Sequence, residues 1–230
     1  MANCLLCGRY LTDKFSFGWL FSWQKIMTTY VCPRCLAQFE SLQITSCCPG
    51  CGRKQETNDL CKDCQRWQKM GLELLNNKAL YVYNQNMMKD YIERYKFMGD
   101  YRWRLVFQEQ FSRFVLQNYS KDYIYCPIPV DKQTYQTRGF NQVIGLCKGF
   151  KLTELVAFKE IKERKKQSHK TRKQRMLTEQ PFIYIGPIDL KQQNVVLLDD
   201  IYTTGRTLYH AANLLRQHNA GMIKSITLAR

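Results

Sequence analysis

The sequence predicts an α/β fold: a parallel sheet covered by helices, preceded by a small module built on two Cys4 zinc sites. Three observations predict it. Eight cysteines near the start fall into four C-x-x-C pairs, Cys4/Cys7, Cys32/Cys35, Cys48/Cys51 and Cys61/Cys64. From about residue 66 onward, apolar runs of strand length alternate with helical periodicity, the pattern of a sheet buried on both faces. A chain of 230 residues has room for one mid-sized domain and a small one, here divided as 1–67 and 68–230.

In chain order, the cysteine-rich module comes first. A C-x-x-C turn offers two thiolates to one metal, and two turns complete a tetrahedral Cys4 site whose binding energy folds a segment too short for its own core. Nine of the eleven cysteines lie in the first 64 residues, and a reducing cytosol argues against disulfides as the alternative. An internal repeat bears on the pairing. "CLLCG" is answered by "CPRCLAQF" and "CPGCG" by "CKDCQRW", each unit with a glycine after its first knuckle and an aromatic after its second. The repeat favours sequential pairing, with Cys4, Cys7, Cys32 and Cys35 on one zinc and Cys48, Cys51, Cys61 and Cys64 on the other. Pairing of first with third knuckles is the alternative. Cys47, Cys126 and Cys147 are left over and read as small buried hydrophobes.

Helices are predicted over "NMMKDYIERYKFMG" and "YRWRLVFQEQFSRFVLQN", whose aromatics recur at the spacing of one packed face. Two more are expected at 140–149 and 206–218. Strands are predicted at "ALYVY", "DYIYCPIPV", "ELVAF", "PFIYI", "NVVLLDD" and "MIKSITLA".

Net charge is +16, with pI near 9.4, and zinc-bound thiolates would lower it only to about +12. Such an excess points to polyanionic partners such as nucleic acid. "MANCLLCGRY" has no basic start followed by an apolar core, and "FSFGWLFSW" is far short of the ~20 residues that span a bilayer. These features predict a cytoplasmic protein without a membrane span.

The chemistry concentrates in "VVLLDDIYTTGRT", residues 195–207. Open α/β sheets bind ligands beyond the carboxyl ends of their strands, where this strand delivers Asp199 and Asp200. The turn that follows can gather backbone N–H groups and the hydroxyls of Thr203, Thr204 and Thr207 at a helix N-terminus, with Gly205 permitting close approach and Arg206 beginning the helix. Phosphate suits the turn, and sugar hydroxyls or magnesium suit the two carboxylates. Together they describe a ribose 5-phosphate. A Walker B strand is the rival reading, but G-x-x-x-x-G-K-[ST] occurs nowhere in the chain. A second anion site is expected at "TRGFNQ", where Arg138, Gly139, Asn141 and Gln142 can donate, although an arginine packed beside an asparagine cap would read the same.

The thirteen-residue stretch resembles the phosphoribosyl pyrophosphate (PRPP) motif of type I phosphoribosyltransferases over its full length. "CPIPVDKQTYQTRGFNQVIGL" is similar to the P-x-P…R-G-F-N-Q segment of the ComF family, bacterial late-competence factors that join a zinc module to a phosphoribosyltransferase-like domain. With "KFMGD" at 96–100 in family order, the resemblance covers nearly the whole chain. It implies a phosphoribosyltransferase-like sheet behind a double zinc-ribbon module, two structural zincs, and magnesium-PRPP bound with Asp199 and Asp200 on the ribose hydroxyls and residues 203–207 on the 5-phosphate.

Residues 159–175 hold nine Lys or Arg and two Glu, a net of +7, and read as a loop too self-repelling to fold alone. Its place resembles that of the loop that closes over phosphoribosyltransferase sites. Gln167 and Arg175 match the family spacing, whereas Thr178 stands where relatives carry Asn. Lys165, Lys166, Lys170, Arg172 and Arg175 are the candidate nucleic-acid contacts.

Two function classes follow. One is a competence factor handling single-stranded DNA during uptake, its zinc module docking the family's ATP-driven DNA translocase at the inner face of the membrane. The other is a magnesium- and PRPP-dependent enzyme, whose acceptor no segment discloses. Neutralising the basic loop discriminates them, because the first class loses DNA affinity and the second loses turnover.

Overall fold

The computed structural model describes residues 3–11, 29–42, 46–83, 87–159, 180–186 and 190–230. Its strands are β1 (Lys78–Tyr81), β2 (Ile124–Pro127), β3 (Val156–Phe158), β4 (Phe182–Tyr184), β5 (Val195–Ile201) and β6 (Ile223–Ala229). Four of them form a parallel sheet in the order β1-β6-β5-β2. β5 is buried along nearly its whole length, which is why its first four residues are apolar without a break before the two acids. Residues 40–42 lie antiparallel along the outer edge of β1, with Leu42 N–H donating to Leu80 O (3.0 Å) and Val82 N–H to Glu40 O (2.8 Å).

"ELVAF" and "PFIYI" depart from the parallel expectation. They pair with each other as the antiparallel β3/β4 ribbon. One face of β4 buries Phe182 while Ile183 is exposed, so these apolar runs serve a half-solvated ribbon instead of a doubly covered strand.

The helices are α1 (Pro33–Leu36), α2 (Lys62–Lys69), α3 (Met87–Phe97), α4 (Gln108–Asn118), α5 (Lys132–Arg138), α6 (Gln142–Leu146) and α7 (Arg206–Gln217). The helix expected over 101–118 is divided: Tyr101–Val106 is a 3-10 turn capped by Asp100, and α4 begins after Phe107. The helix expected at 140–149 contracts to α6. It is preceded by the unanticipated α5, which starts on the Asp131 side chain and stops at Gly139, whose φ of 82° is the left-handed conformation that glycine takes freely.

Side chains alternate across β5, so Val196 and Leu198 enter one core and Val195 and Leu197 the other. The first core contains α3, α4 and α6 residues together with Cys4, Cys32, Cys35 and Phe39, whose ring meets Phe107 edge-on at 4.8 Å. The second contains the inner face of α7, with Leu208, Ala211 and Leu215, together with Cys48, Cys51, Cys61, Cys64 and Trp67. The two cysteine groups therefore pack on opposite faces of one sheet.

Candidate functional site

β5 ends where the sequence places its acids. Asp199 and Asp200 are 8% and 3% exposed, at the carboxyl edge of a strand hydrogen-bonded on both sides. Their carboxylates fold back on the strand end: Asp199 Oδ1 accepts from Asp200 N–H (2.8 Å) and Asp200 Oδ1 from Ile201 N–H (3.0 Å). Lys96, at the end of α3, brings its ammonium to 2.5 Å from Asp200 Oδ2. Among the described residues, only Asp200 of the pair has a cation in ion-pair contact. Burial, and then the Asp200 charge, push the Asp199 carboxyl well above the ordinary carboxylate range, against a smaller opposing pull from Lys96.

Thr203, Thr204 and Thr207 are exposed, and Gly205 is buried with a φ of 79° at the start of α7. A Cβ at Gly205 would lie 2.2 Å from the Tyr202 hydroxyl, so the turn rests directly on that ring. No side chain caps α7 at Gly205, while the Thr204 hydroxyl accepts from Arg206 N–H at 3.4 Å. An uncapped helix start behind exposed hydroxyls suits an anion.

The opposite wall is α5 and α6. Arg138 donates through Nε to Lys96 O (2.9 Å) and through Nη1 to the Gln142 side chain; burial lowers its guanidinium's proton affinity, and the Asp200 charge opposes that. Asn141 serves differently. Its Oδ1 caps α6, accepting from Val143 N–H (2.8 Å) and Ile144 N–H (3.3 Å), and its Nδ2 donates to Ile128 O (3.0 Å). Gly139 lies between them in open space. Lys96 and Arg138 thus gather near Asp200, with Gln142 held against Arg138 and Asn141 capping the helix that Gln142 begins. Lys165, Lys166, Lys170, Arg172 and Arg175, with Gln167, His169 and Thr178, lie outside the described residues.

The cysteines pair sequentially. In each group, Cys4, Cys7, Cys32 and Cys35 or Cys48, Cys51, Cys61 and Cys64, the sulfurs lie within 4.8 Å of one another. Tetrahedral zinc with sulfurs at about 2.3 Å separates its ligands by about 3.8 Å; the Cys7–Cys32 and Cys51–Cys61 sulfurs are 3.9 and 3.6 Å apart. Cys32 N–H to Cys4 Sγ and Cys61 N–H to Cys48 Sγ, both 3.3 Å, provide the donors that thiolate ligands use. Both groups could hold zinc.

A family profile described as a phosphoribosyl transferase domain matches residues 146–230, from the end of α6 through β6. Across the whole chain, the sequence is 36% identical over 230 residues to Competence protein ComFC of Streptococcus pneumoniae (strain ATCC BAA-255 / R6), covering 99% of this chain and all of that one. The chain belongs to the ComFC family. A second member, Competence protein ComFC of Bacillus subtilis (strain 168), is 32% identical over 237 residues, covering 99% of this chain and 94% of that one. Membership in the ComFC family spans both Cys4 groups and the sheet, so the expected architecture, a phosphoribosyltransferase-like sheet behind a double Cys4 module, holds. Among the described residues no helix is long and apolar enough to cross a membrane.

Sequence reasoning missed two side chains that touch the turn after β5. Trp67, read as part of the knuckle repeat, donates through Nε1 to Thr204 O (3.3 Å), and Arg230 reaches the carbonyls of Tyr202 and Thr203. No local pattern marks either, because their partners lie 137 and 28 or 27 positions away.

Proposed function

We propose that this protein serves natural transformation by handling single-stranded DNA during its uptake into the cytoplasm, and that its cleft holds PRPP or a related ribose phosphate with magnesium. The observation that carries the reading is the end of β5: a buried acid pair followed by an uncapped helix start with exposed threonines, in a member of a competence family. Residues 203–207 take the 5-phosphate, Asp199 and Asp200 the ribose hydroxyls or magnesium, and Lys96, Arg138, Gly139 and Gln142 the pyrophosphate. The donor set fits magnesium because two carboxylates share one strand end and a cation, the Lys96 ammonium, already rests on one of them. When bound, magnesium would neutralise pyrophosphate charge. The basic stretch 159–175 holds the DNA backbone, and the Cys4 module docks the family's ATP-driven translocase at the inner face of the membrane.

Replacing Lys165, Lys166, Lys170 and Arg172 by Gln should weaken oligonucleotide binding whatever the base sequence. Each cation–phosphate pair removed should flatten the slope of log affinity against log salt by about 0.7. Fluorescence anisotropy across a salt series checks this. Unchanged affinity and slope would remove the stretch from the DNA site.

The match to the phosphoribosyl transferase domain favours a second reading, an enzyme in which Asp199 and Asp200 steady positive charge developing on the ribose. Under that reading the four substitutions should impair PRPP turnover and leave DNA affinity as it was.

A further inference from the structure

The second Cys4 group is physically joined to the turn read above as the phosphate loop. Arg230 follows β6, and its backbone is fixed at the sheet edge: its N–H donates to Tyr81 O (3.0 Å) and its carbonyl accepts from Tyr83 N–H (2.8 Å). From that anchor the guanidinium spans two structures. Nη2 donates to Cys51 Sγ (3.3 Å), while Nη1 donates to Tyr202 O (3.2 Å) and Thr203 O (3.0 Å). The guanidinium also lies 4.8 Å from the centre of the Tyr202 ring, the ring on which Gly205 rests. Trp67 belongs to α2, the helix that carries Cys64, and supplies the bond to Thr204 O while its ring packs on Tyr209 of α7 at 4.6 Å.

Three consecutive loop carbonyls, 202, 203 and 204, are therefore held by groups anchored at the cysteine cluster. In a trans peptide the carbonyl of one residue and the N–H of the next point in opposite directions, and the described chain has no cis bonds. Holding those carbonyls fixes the N–H groups of Thr203, Thr204 and Gly205 on the far side of the loop. Among the described residues none accepts a hydrogen bond from these three N–H groups. Successive free N–H groups in such a turn form an anion-binding concavity.

We propose that Arg230 and Trp67 are positioning residues through which the second Cys4 group sets the shape of loop 203–207, so that anion binding there depends on that group's integrity. The affinity part rests on the phosphate-loop reading; the shape part does not. Backbone ¹⁵N order parameters of the full-length zinc-loaded protein test the shape. Wild type should show rigid amides at 203–205, near 0.85, and Arg230→Met should drop them below about 0.6 while β5 amides and zinc content stay as they were. Trp67→Phe keeps the ring on Tyr209 and removes only the bond to Thr204 O, so its loss should be confined to Gly205 and its neighbours. Arg230→Lys, with a single ammonium in place of the fork, should not restore the loop. Titration with PRPP, and separately with inorganic phosphate, should show at least a tenfold weakening in Arg230→Met. Unchanged order parameters in both Arg230→Met and Trp67→Phe would overturn the proposal. If wild type binds neither anion but the order parameters fall, the positioning stands for the loop's shape and the phosphate reading fails.

Discussion

Substituting Cys61 by Ser should lower the zinc content from about two per chain to about one and drive the protein into aggregates. A structural zinc site contributes an apparent ~10–16 kcal/mol at neutral pH, comparable with or above the ~5–15 kcal/mol by which whole domains are stable. Location makes this site costly to lose. Cys48, Cys51, Cys61 and Cys64 are at most 9% exposed and share a core with Trp67, Leu75, Tyr202 and Tyr209, so an emptied cluster opens the apolar interior beside α7. Cys7 is exposed at the edge of the first group, and Cys7→Ser should leave more of the fold intact. Elemental analysis with thermal unfolding checks both variants. A soluble Cys61→Ser protein melting like wild type would show that the second group contributes little to folding.

The acid pair should respond unequally to neutralisation. Asp200→Asn strands the Lys96 ammonium, itself only 19% exposed, and removing one partner of a buried pair costs about 3 kcal/mol. Asp199→Asn should behave in the opposite sense. Because the folded protein holds the Asp199 carboxyl above its ordinary value of 3.8, the stability tied to its protonated form is complete below that value. That stability is lost as pH rises toward the raised folded value. An Asn at 199 never ionises and escapes the loss. Magnesium-free urea unfolding should therefore show Asp199→Asn gaining on wild type as pH rises above 3.8. A gap that does not change with pH would mean that Asp199 is ionised in the folded protein. For ligand binding the two acids should act together. Charge-assisted hydrogen bonds contribute about 1.5–3 kcal/mol each, so the double Asn variant should lose at least about 100-fold in PRPP affinity.

Features carried by short sequence spans were legible. The four knuckles declare themselves by spacing, and their sequential pairing follows from a repeat that the sulfur positions match. β5 is readable because a strand covered on both faces favours a continuous apolar run, here residues 195–198, against which the two acids at its carboxyl end stand out. Contacts made across the fold were not legible. Nothing near Lys96 or Asp200 announces their pairing, since it depends on α3 and β5 ending at the same edge of the sheet. The same holds for Arg230 and Cys51, 179 positions apart. α5 had a signal in Asp131 at its start and Gly139 at its end, which could have been read as caps, but it buries no residue and so lacks apolar periodicity. β3 and β4 misled because an apolar run does not tell whether its strand is covered on one face or two.

The most direct test of a PRPP site in a DNA-handling protein is calorimetric titration of the zinc-loaded chain with magnesium-PRPP, repeated after saturation with a single-stranded oligonucleotide. One PRPP per chain is expected, with binding lost in the Asp199→Asn/Asp200→Asn variant at unchanged zinc content. The oligonucleotide is expected to bind the wild-type protein at low salt. Absence of PRPP binding to folded wild-type protein, or equal binding by the double variant, would contradict the assignment.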